Sequence, residues 1–181
     1  MAKKQDQAIT SVAERLAAES GTKLHGIAHR LKTPRSTSRK ILKNNVDDGV
    51  SYSKVAKEDL ADLNRYTFIL DEVKYVDEFT EIMAGFADEG YEVVKVKNYW
   101  DDDLYKGINV NLRALDGRKI EFQFNTKKSQ FIKDKWSHKW YEEFREVTTS
   151  AARKSELRQK LSEIWLTIDL PVGQNTIPWF P

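Results

Sequence analysis

The alternation of apolar and polar positions is cleanest from Tyr105 to Thr126, YKGINVNLRALDGRKIEFQFNT. Ile108, Val110 and Leu112 alternate with Asn109, Asn111 and Arg113. On the return, Ile120, Phe122 and Phe124 alternate with Lys119, Glu121, Gln123 and Asn125. A period of two gives each set its own face of a strand. Asp116-Gly117 between the runs is a hairpin turn signal. A two-residue loop would pair Leu112 with Glu121 and mix the faces. A three-residue loop, Leu115-Asp116-Gly117, puts Gly117 at the left-handed position such loops need. It pairs Val110 with Phe122 and Asn111 with Glu121, and only this register keeps the core face apolar. The expected hairpin carries Asn109, Asn111, Glu121 and Gln123 as one patch, amides gathered around a single carboxylate.

Helical spacing of Ile9, Val12, Ala13 and Leu16 predicts a helix over about 6–19, stopped by Gly21. Val76, Phe79, Ile82, Met83 and Phe86 predict another over 74–88, ended by Gly90. Residues 23–32 alternate weakly and predict a strand. Thr33-Pro34 opens a basic helix of about ten residues, with proline near its first position. Asp47-Asp48-Gly49 is a turn. Tyr66 to Leu70 reads as a strand buried on both faces, and Tyr91 to Lys97 as another. Helices over 128–146 and 151–166 follow, then an irregular tail, LPVGQNTIPWFP. The order predicts an α+β fold: a mixed sheet of about five strands flanked by helices. One domain is expected over 1–170, with an irregular tail over 171–181.

Composition narrows the chemistry. The 181 residues include no cysteine, which excludes disulfides and thiolate catalysis and argues against structural zinc. A net charge of +2 implies nothing strong about nucleic acid. No apolar run approaches the roughly 20 residues that span a bilayer. MAKKQDQ has no apolar signal region, so a cytoplasmic location is expected.

Five segments carry candidate chemistry. In HRLKTPRSTSRK, a strand would set Arg30 and Lys32 on one face, with Ser36, Arg39 and Lys40 in the first turns of the next helix. Cations around a helix start suit a polyphosphate; a solvated basic face is the other reading. Asp62 and Arg65 stand at the entrance to a buried strand, as a salt bridge or cap, or as half of a metal site. The 98–107 loop interleaves Tyr99, Trp100 and Tyr105 with three aspartates, and the nearby glycine lets backbone approach a ligand. Its tyrosines suit stacking on a base or plain packing. Glu121, ringed by amides, suits a divalent ion, a hydroxyl proton or a closed polar network. His138, on a basic helix with Lys133, Lys135 and Lys139, suits a phosphate contact or a core-edge hydrogen bond. His25 and His29 read as structural.

In this order the segments HRLKTPRSTSRKI, DLADLNRYTFIL, NYWDDDLYKGINV, IEFQFNT and SHKWYEE resemble the synthetase domain of the RelA/SpoT family, a nucleotidyltransferase-like fold. Those pyrophosphokinases make the alarmone (p)ppGpp, and toxic small synthetases belong among them. The similarity spans about residues 24–145. It implies that Arg30, Lys32, Ser36 and Arg39 hold the ATP phosphates, with Lys40 and Arg65 assisting. It implies that Asp62 and Glu121 bind Mg²⁺, that Glu121 takes the proton of the acceptor's 3′-hydroxyl, and that Tyr105 stacks on the acceptor base. Asn109, Asn111, Gln123 and His138 complete the expected acceptor site.

The chain departs from the family in three places. Asp62 lies three residues before Arg65 instead of five, Asn109 stands where histidine is common, and Asn125 where arginine is usual. No hydrolase domain with a histidine–aspartate metal site is recognisable, so synthesis alone is expected. The leading expectation is transfer of the β,γ-pyrophosphate of ATP to the 3′-hydroxyl of a purine nucleotide, as an antibacterial toxin with an antitoxin or immunity protein as partner. A tRNA 3′ end is the alternative acceptor. A non-catalytic module that binds a nucleotide or a partner is the second class.

Overall fold

The computed structural model describes residues 2–30 and 64–180. The basic helix at Thr33-Pro34 and the turn at Asp47-Asp48-Gly49 lie outside the described residues, as do Lys32, Ser36, Arg39, Lys40 and Asp62. The strands are β1 (Lys23–His25), β2 (Arg65–Leu70), β3 (Glu92–Asn98), β4 (Ile108–Arg113) and β5 (Lys119–Thr126). They form one sheet of five strands in the order β1-β2-β5-β4-β3. The β2–β5 pair is parallel and every other pair antiparallel, so the sheet is mixed and the fold α+β, as expected.

The hairpin has the register that the buried face dictates. Val110 pairs with Phe122 and Asn111 with Glu121. Ala114 N–H donates to Arg118 O at 2.9 Å, and Gly117 takes the left-handed conformation at φ 82°. Phe68, Ile108, Val110, Leu112, Phe122 and Phe124 point to one face and are fully enclosed. Each buried side chain of this size contributes about 1.5–3 kcal/mol. Helices α1 (Ala2–Glu19) and α2 (Tyr75–Asp88) contribute Ile9, Ala13, Leu16, Phe79, Ile82 and Phe86 to the same core. Phe79 meets Phe124 edge-on at 4.8 Å, and the Tyr75 hydroxyl donates to Phe124 O at 2.7 Å.

Elsewhere the structure departs from the sequence pattern. The strand expected over 23–32 stops at His25, because Gly26 turns left-handed at φ 66° and a short 3₁₀ turn, Ile27–His29, follows. Arg30 therefore does not lie on a strand. The helix expected over 128–146 is three pieces: α3 (Lys127–Ile132), one π turn (Lys133–Ser137) and α4 (His138–Phe144). A capping box between Thr126 and Ser129 starts α3, where serine replaces the usual Glu or Gln. In the π turn His138 N–H reaches back to Lys133 O, five residues away. Helix α5 (Ala151–Trp165) packs on α4. Arg153 bonds both carboxylate oxygens of Glu143 at 2.7 and 3.0 Å, and Trp165 Nε1 donates to Ser137 Oγ at 3.1 Å.

The tail is less irregular than its prolines suggest. It forms a 3₁₀ turn over Gln174–Thr176, then runs beside β3. There Val96 N–H donates to Phe180 O at 2.8 Å and Phe180 N–H to Val96 O at 3.1 Å. The tail thereby covers part of an edge that would otherwise present free backbone groups. Among the described residues no helix is long and apolar enough to cross a membrane.

Candidate active site on the polar face of the sheet

The face opposite the aromatic core is polar because alternation must put something there, and pairing fixes which residues meet. Parallel pairing sets Arg65 beside Glu121 and Thr67 beside Gln123. Antiparallel pairing sets Asn111 beside Glu121 and Asn109 beside Gln123. In β3 the register shifts between Val93 and Lys95, so that Lys95 pairs with Asn111 and Lys97 with Asn109. Without the bulge both lysines would take positions on the apolar face. Two rows result: Arg65–Glu121–Asn111–Lys95, and Thr67–Gln123–Asn109–Lys97, which His25 extends through its pairing with Thr67.

Glu121 is the hub. Its Oε1 accepts from Arg65 Nε at 2.7 Å and from Gln123 Nε2 at 2.8 Å, while Oε2 accepts no hydrogen bond among the described residues. The Glu121 side chain is 15% exposed and that of Arg65 39%, so the pair reaches solvent. Arg30 reaches the same end of the sheet through its backbone: Arg65 N–H donates to Arg30 O at 2.8 Å. Arg30 and Arg65 are the residues expected at the ATP phosphates that fall within the described residues.

The other half of the polar face is covered. The Tyr105 hydroxyl shares its proton between Asn125 Oδ1 at 2.6 Å and Asn109 Oδ1 at 3.2 Å. Its ring meets Tyr99 at 5.6 Å and Trp165 at 5.7 Å, both edge-on. Burial, then the charge of Glu121, pushes its phenol well above the ordinary range, so it is a neutral donor. Asn125 Nδ2 donates to Gln130 Oε1 at 2.6 Å, and Gln130 Nε2 to Asp134 Oδ1 at 2.8 Å. Asp134 Oδ2 meets His25 Nε2 at 2.8 Å. A continuous polar chain thus runs from Tyr105 to β1, and His25 has the structural role expected of it.

Gly107 has a use other than the one its sequence context suggests. A Cβ there would stand 2.6 Å from the Tyr105 hydroxyl oxygen and closer still to Asn125 Oδ1. The space is taken by the chain's own hydrogen bond. Asn111 lies opposite Glu121 by register, but no hydrogen bond joins their side chains. His138 is exposed at the start of α4, and the hydrogen bonds of the cluster do not reach it.

Lys133, which the sequence shows only as one cation of the basic helix around His138, turns onto the polar face. Its ammonium donates to Gln123 Oε1 and stands 5.5 Å from the Tyr105 ring centroid. Burial first, and the neighbouring Arg65 charge second, lower it to about 8. Lys95 and Lys97 were missed as well. Their signal was legible: the doublet Val93-Val94 breaks the alternation of Lys95, Val96 and Lys97, and a broken alternation marks a bulge.

No family model matches this chain, and no curated protein resembles it in sequence. Solved structures do resemble it. The type VI effector Tas1, in a complex with its immunity protein, is 22% identical over 91% of this chain and 90% of that one, with a TM-score of 0.57. Small alarmone synthetase 1 from Bacillus subtilis, bound to its product pppGpp, is 13% identical over 91% and 84%, with a TM-score of 0.59. Small alarmone synthetase 2 from Bacillus subtilis is 16% identical over 91% and 86%, with a TM-score of 0.60. The mixed five-stranded sheet, its flanking helices and the polar face described above are therefore laid out on the fold of the small alarmone synthetases.

Proposed function

We propose that this protein is an ATP-dependent pyrophosphokinase that moves the β,γ-pyrophosphate of ATP onto the 3′-hydroxyl of a purine nucleotide. The observation that carries this reading is the state of Glu121. One carboxylate oxygen is held by Arg65 and Gln123, and the other accepts no hydrogen bond among the described residues, in a side chain that reaches solvent. A carboxylate so placed can take a hydroxyl proton. Arg30, Arg65, Lys95 and Lys97 supply positive charge on or beside the same face for a polyanionic donor. The fold shared with small alarmone synthetases supports the same class of reaction.

In the reaction the acceptor oxygen attacks the β-phosphorus of ATP as its proton passes to Glu121. The bond from that phosphorus to the α,β-bridging oxygen breaks, and AMP leaves with the bridging oxygen. There is little covalent work for the protein, so positioning and charge neutralisation carry the rate. Glu121 Oε2 fits a divalent cation, with Asp62 as the expected second carboxylate. Mg²⁺ is commonly held by one or two carboxylates plus substrate phosphates, and supplies charge neutralisation there when bound. Of the residues expected toward the acceptor, Asn111 lies beside Glu121 on the same face, whereas Tyr105, Asn109 and Gln123 are held in the chain's own hydrogen bonds and His138 stands outside the cluster. Likeness to an effector solved with its immunity protein supports a toxin role and a neutralising partner.

The test is direct. Purified protein with Mg²⁺ and γ-labelled ATP is offered GDP, GTP, ADP, ATP and tRNA separately. Label should move to a purine nucleotide, and Glu121→Gln should lower transfer by at least about a hundredfold with the fold intact. Label on tRNA would select the alternative acceptor. No transfer to any acceptor would leave a nucleotide-binding module.

A further inference from the structure

Among the described residues, the polar groups behind Glu121 form a chain whose directions are set by chemistry. A lysine ammonium has donors and no acceptor. Lys133 Nζ therefore faces the oxygen of the Gln123 amide, and its contact is with Oε1. Thr67 Oγ1 also donates to that oxygen, at 3.4 Å. With the oxygen turned toward Lys133, the amide nitrogen must face the other way, and there it donates to Glu121 Oε1 at 2.8 Å. Arg65 Nε donates to the same carboxylate oxygen at 2.7 Å. Lys133 can reach this far because the helix after β5 turns directly back over the polar face, and its ammonium lies beside Tyr105 on the covered half.

We infer that Lys133 is a positioning residue: by fixing the orientation of the Gln123 amide it directs the Gln123 nitrogen onto Glu121 Oε1, beside Arg65 Nε, and leaves Oε2 without a hydrogen bond among the described residues. If the amide were reversed, its carbonyl would face the carboxylate oxygen, two acceptors without a proton between them. Glu121 would then rotate, and the available oxygen would no longer be fixed. In its kinetic part this inference rests on the pyrophosphokinase reading; in its structural part it does not.

Lys133→Met keeps the stem and removes the ammonium, Lys133→Arg restores a donor, and Gln123→Met removes the amide. Lys133→Met should lower kcat about tenfold with KM for ATP unchanged to within roughly twofold. Lys133→Arg should recover most of that loss. In a Gln123→Met background, Lys133→Met should cost nothing further, because its effect passes through the amide. Losses that multiply in the double variant would mean a direct contact with substrate and would overturn the inference.

A second readout needs no activity. The side-chain amide resonances of Gln123, assigned by their loss in Gln123→Met, should shift in Lys133→Met and stay put in Lys135→Met. Unmoved resonances in Lys133→Met overturn the inference even where transfer is found. Absence of transfer by the wild-type chain defeats the pyrophosphokinase reading alone, and the amide spectra still decide this one.

Discussion

Replacing Gly107 by alanine probes the covered half of the site with a single methyl group. That methyl would lie 2.6 Å from the Tyr105 hydroxyl oxygen and 3.0 Å from its Cζ, and nearer still to Asn125 Oδ1. Neither neighbour is a loose end. Asn125 is completely enclosed and bonded to Tyr105 and Gln130, while the Tyr105 ring is held by Tyr99 and Trp165. Relief requires moving the backbone into β4, whose first residue, Ile108, is fully buried, or breaking the Tyr105–Asn125 bond. Breaking it loses about 1 kcal/mol and strands a buried acceptor at a further 1–3 kcal/mol, roughly. Moving the backbone instead carries an overpacking cost of about 1–3 kcal/mol. The expected loss is roughly 2–4 kcal/mol, a large part of the 5–15 kcal/mol typical of a domain. Gly117→Ala is the control for backbone strain: both glycines have positive φ, 157° at Gly107 and 82° at Gly117, and nothing lies within 4 Å of Gly117, so there only strain of about 1–2 kcal/mol applies. Urea unfolding with a shared m-value measures both. A Gly107→Ala midpoint at or above that of Gly117→Ala would refute the crowding drawn here.

The remaining expectations are briefer. Tyr75→Phe removes the buried bond to Phe124 O on the core side of β5. It should cost about 1 kcal/mol in urea unfolding and leave transfer activity intact, whereas a large kcat loss would show that the two faces are coupled. Lys133 titrates at about 8 in the folded chain against an ordinary 10.5. The unfolded chain therefore holds that proton more tightly, and the site's contribution to stability rises from about pH 8 to about 10.5 and is level below. The stability of wild type relative to Lys133→Met should climb across that window, and parallel profiles would contradict the burial of the ammonium. Glu156 is held down to about 2 by Lys160 first and Arg153 second. Its contribution is present above the usual carboxylate range and fades as pH falls toward 2, so acid unfolding of Glu156→Gln should lack that component.

What could be read in the sequence was whatever a period decides locally. The hairpin register followed from keeping Ile108, Val110, Leu112, Ile120, Phe122 and Phe124 together, and the structure has it residue for residue. Helix α2 and strand β2 followed from equally plain spacing. Failures came where one residue overrides a period. Gly26 adopts a left-handed backbone and ends a strand that weak alternation continues to residue 32. The π turn inserts a residue into an otherwise regular helix, and nothing in KDKWS announces it. Lys133 looks no different in sequence from Lys135 and Lys139, and its burial depends on a fold-back that only tertiary structure supplies. Tyr105 was legible as a loop aromatic before a glycine, but the direction of its hydroxyl was not. That direction depends on Asn125, twenty residues away in sequence, and on the missing side chain at Gly107.

Asn125 brings the departures from the family pattern into one physical relation. The resembling family usually carries arginine at this position; here it is an enclosed amide that accepts from Tyr105 and donates to Gln130. A guanidinium in that place would share the covered half with Lys133, whose ammonium also lies against the Tyr105 ring. Two uncompensated cations in a poorly solvated region repel strongly, and each desolvation adds to the cost. Only one of the two positions can therefore comfortably hold a charge. This chain holds it on the helix, at the first residue of the π turn, and uses neutral amides along the strand. Amides can aim hydrogen bonds at Glu121 without adding charge, so the carboxylate is oriented from behind while Arg65 and Lys95 share its row across the sheet. The covered half holds the carboxylate's geometry.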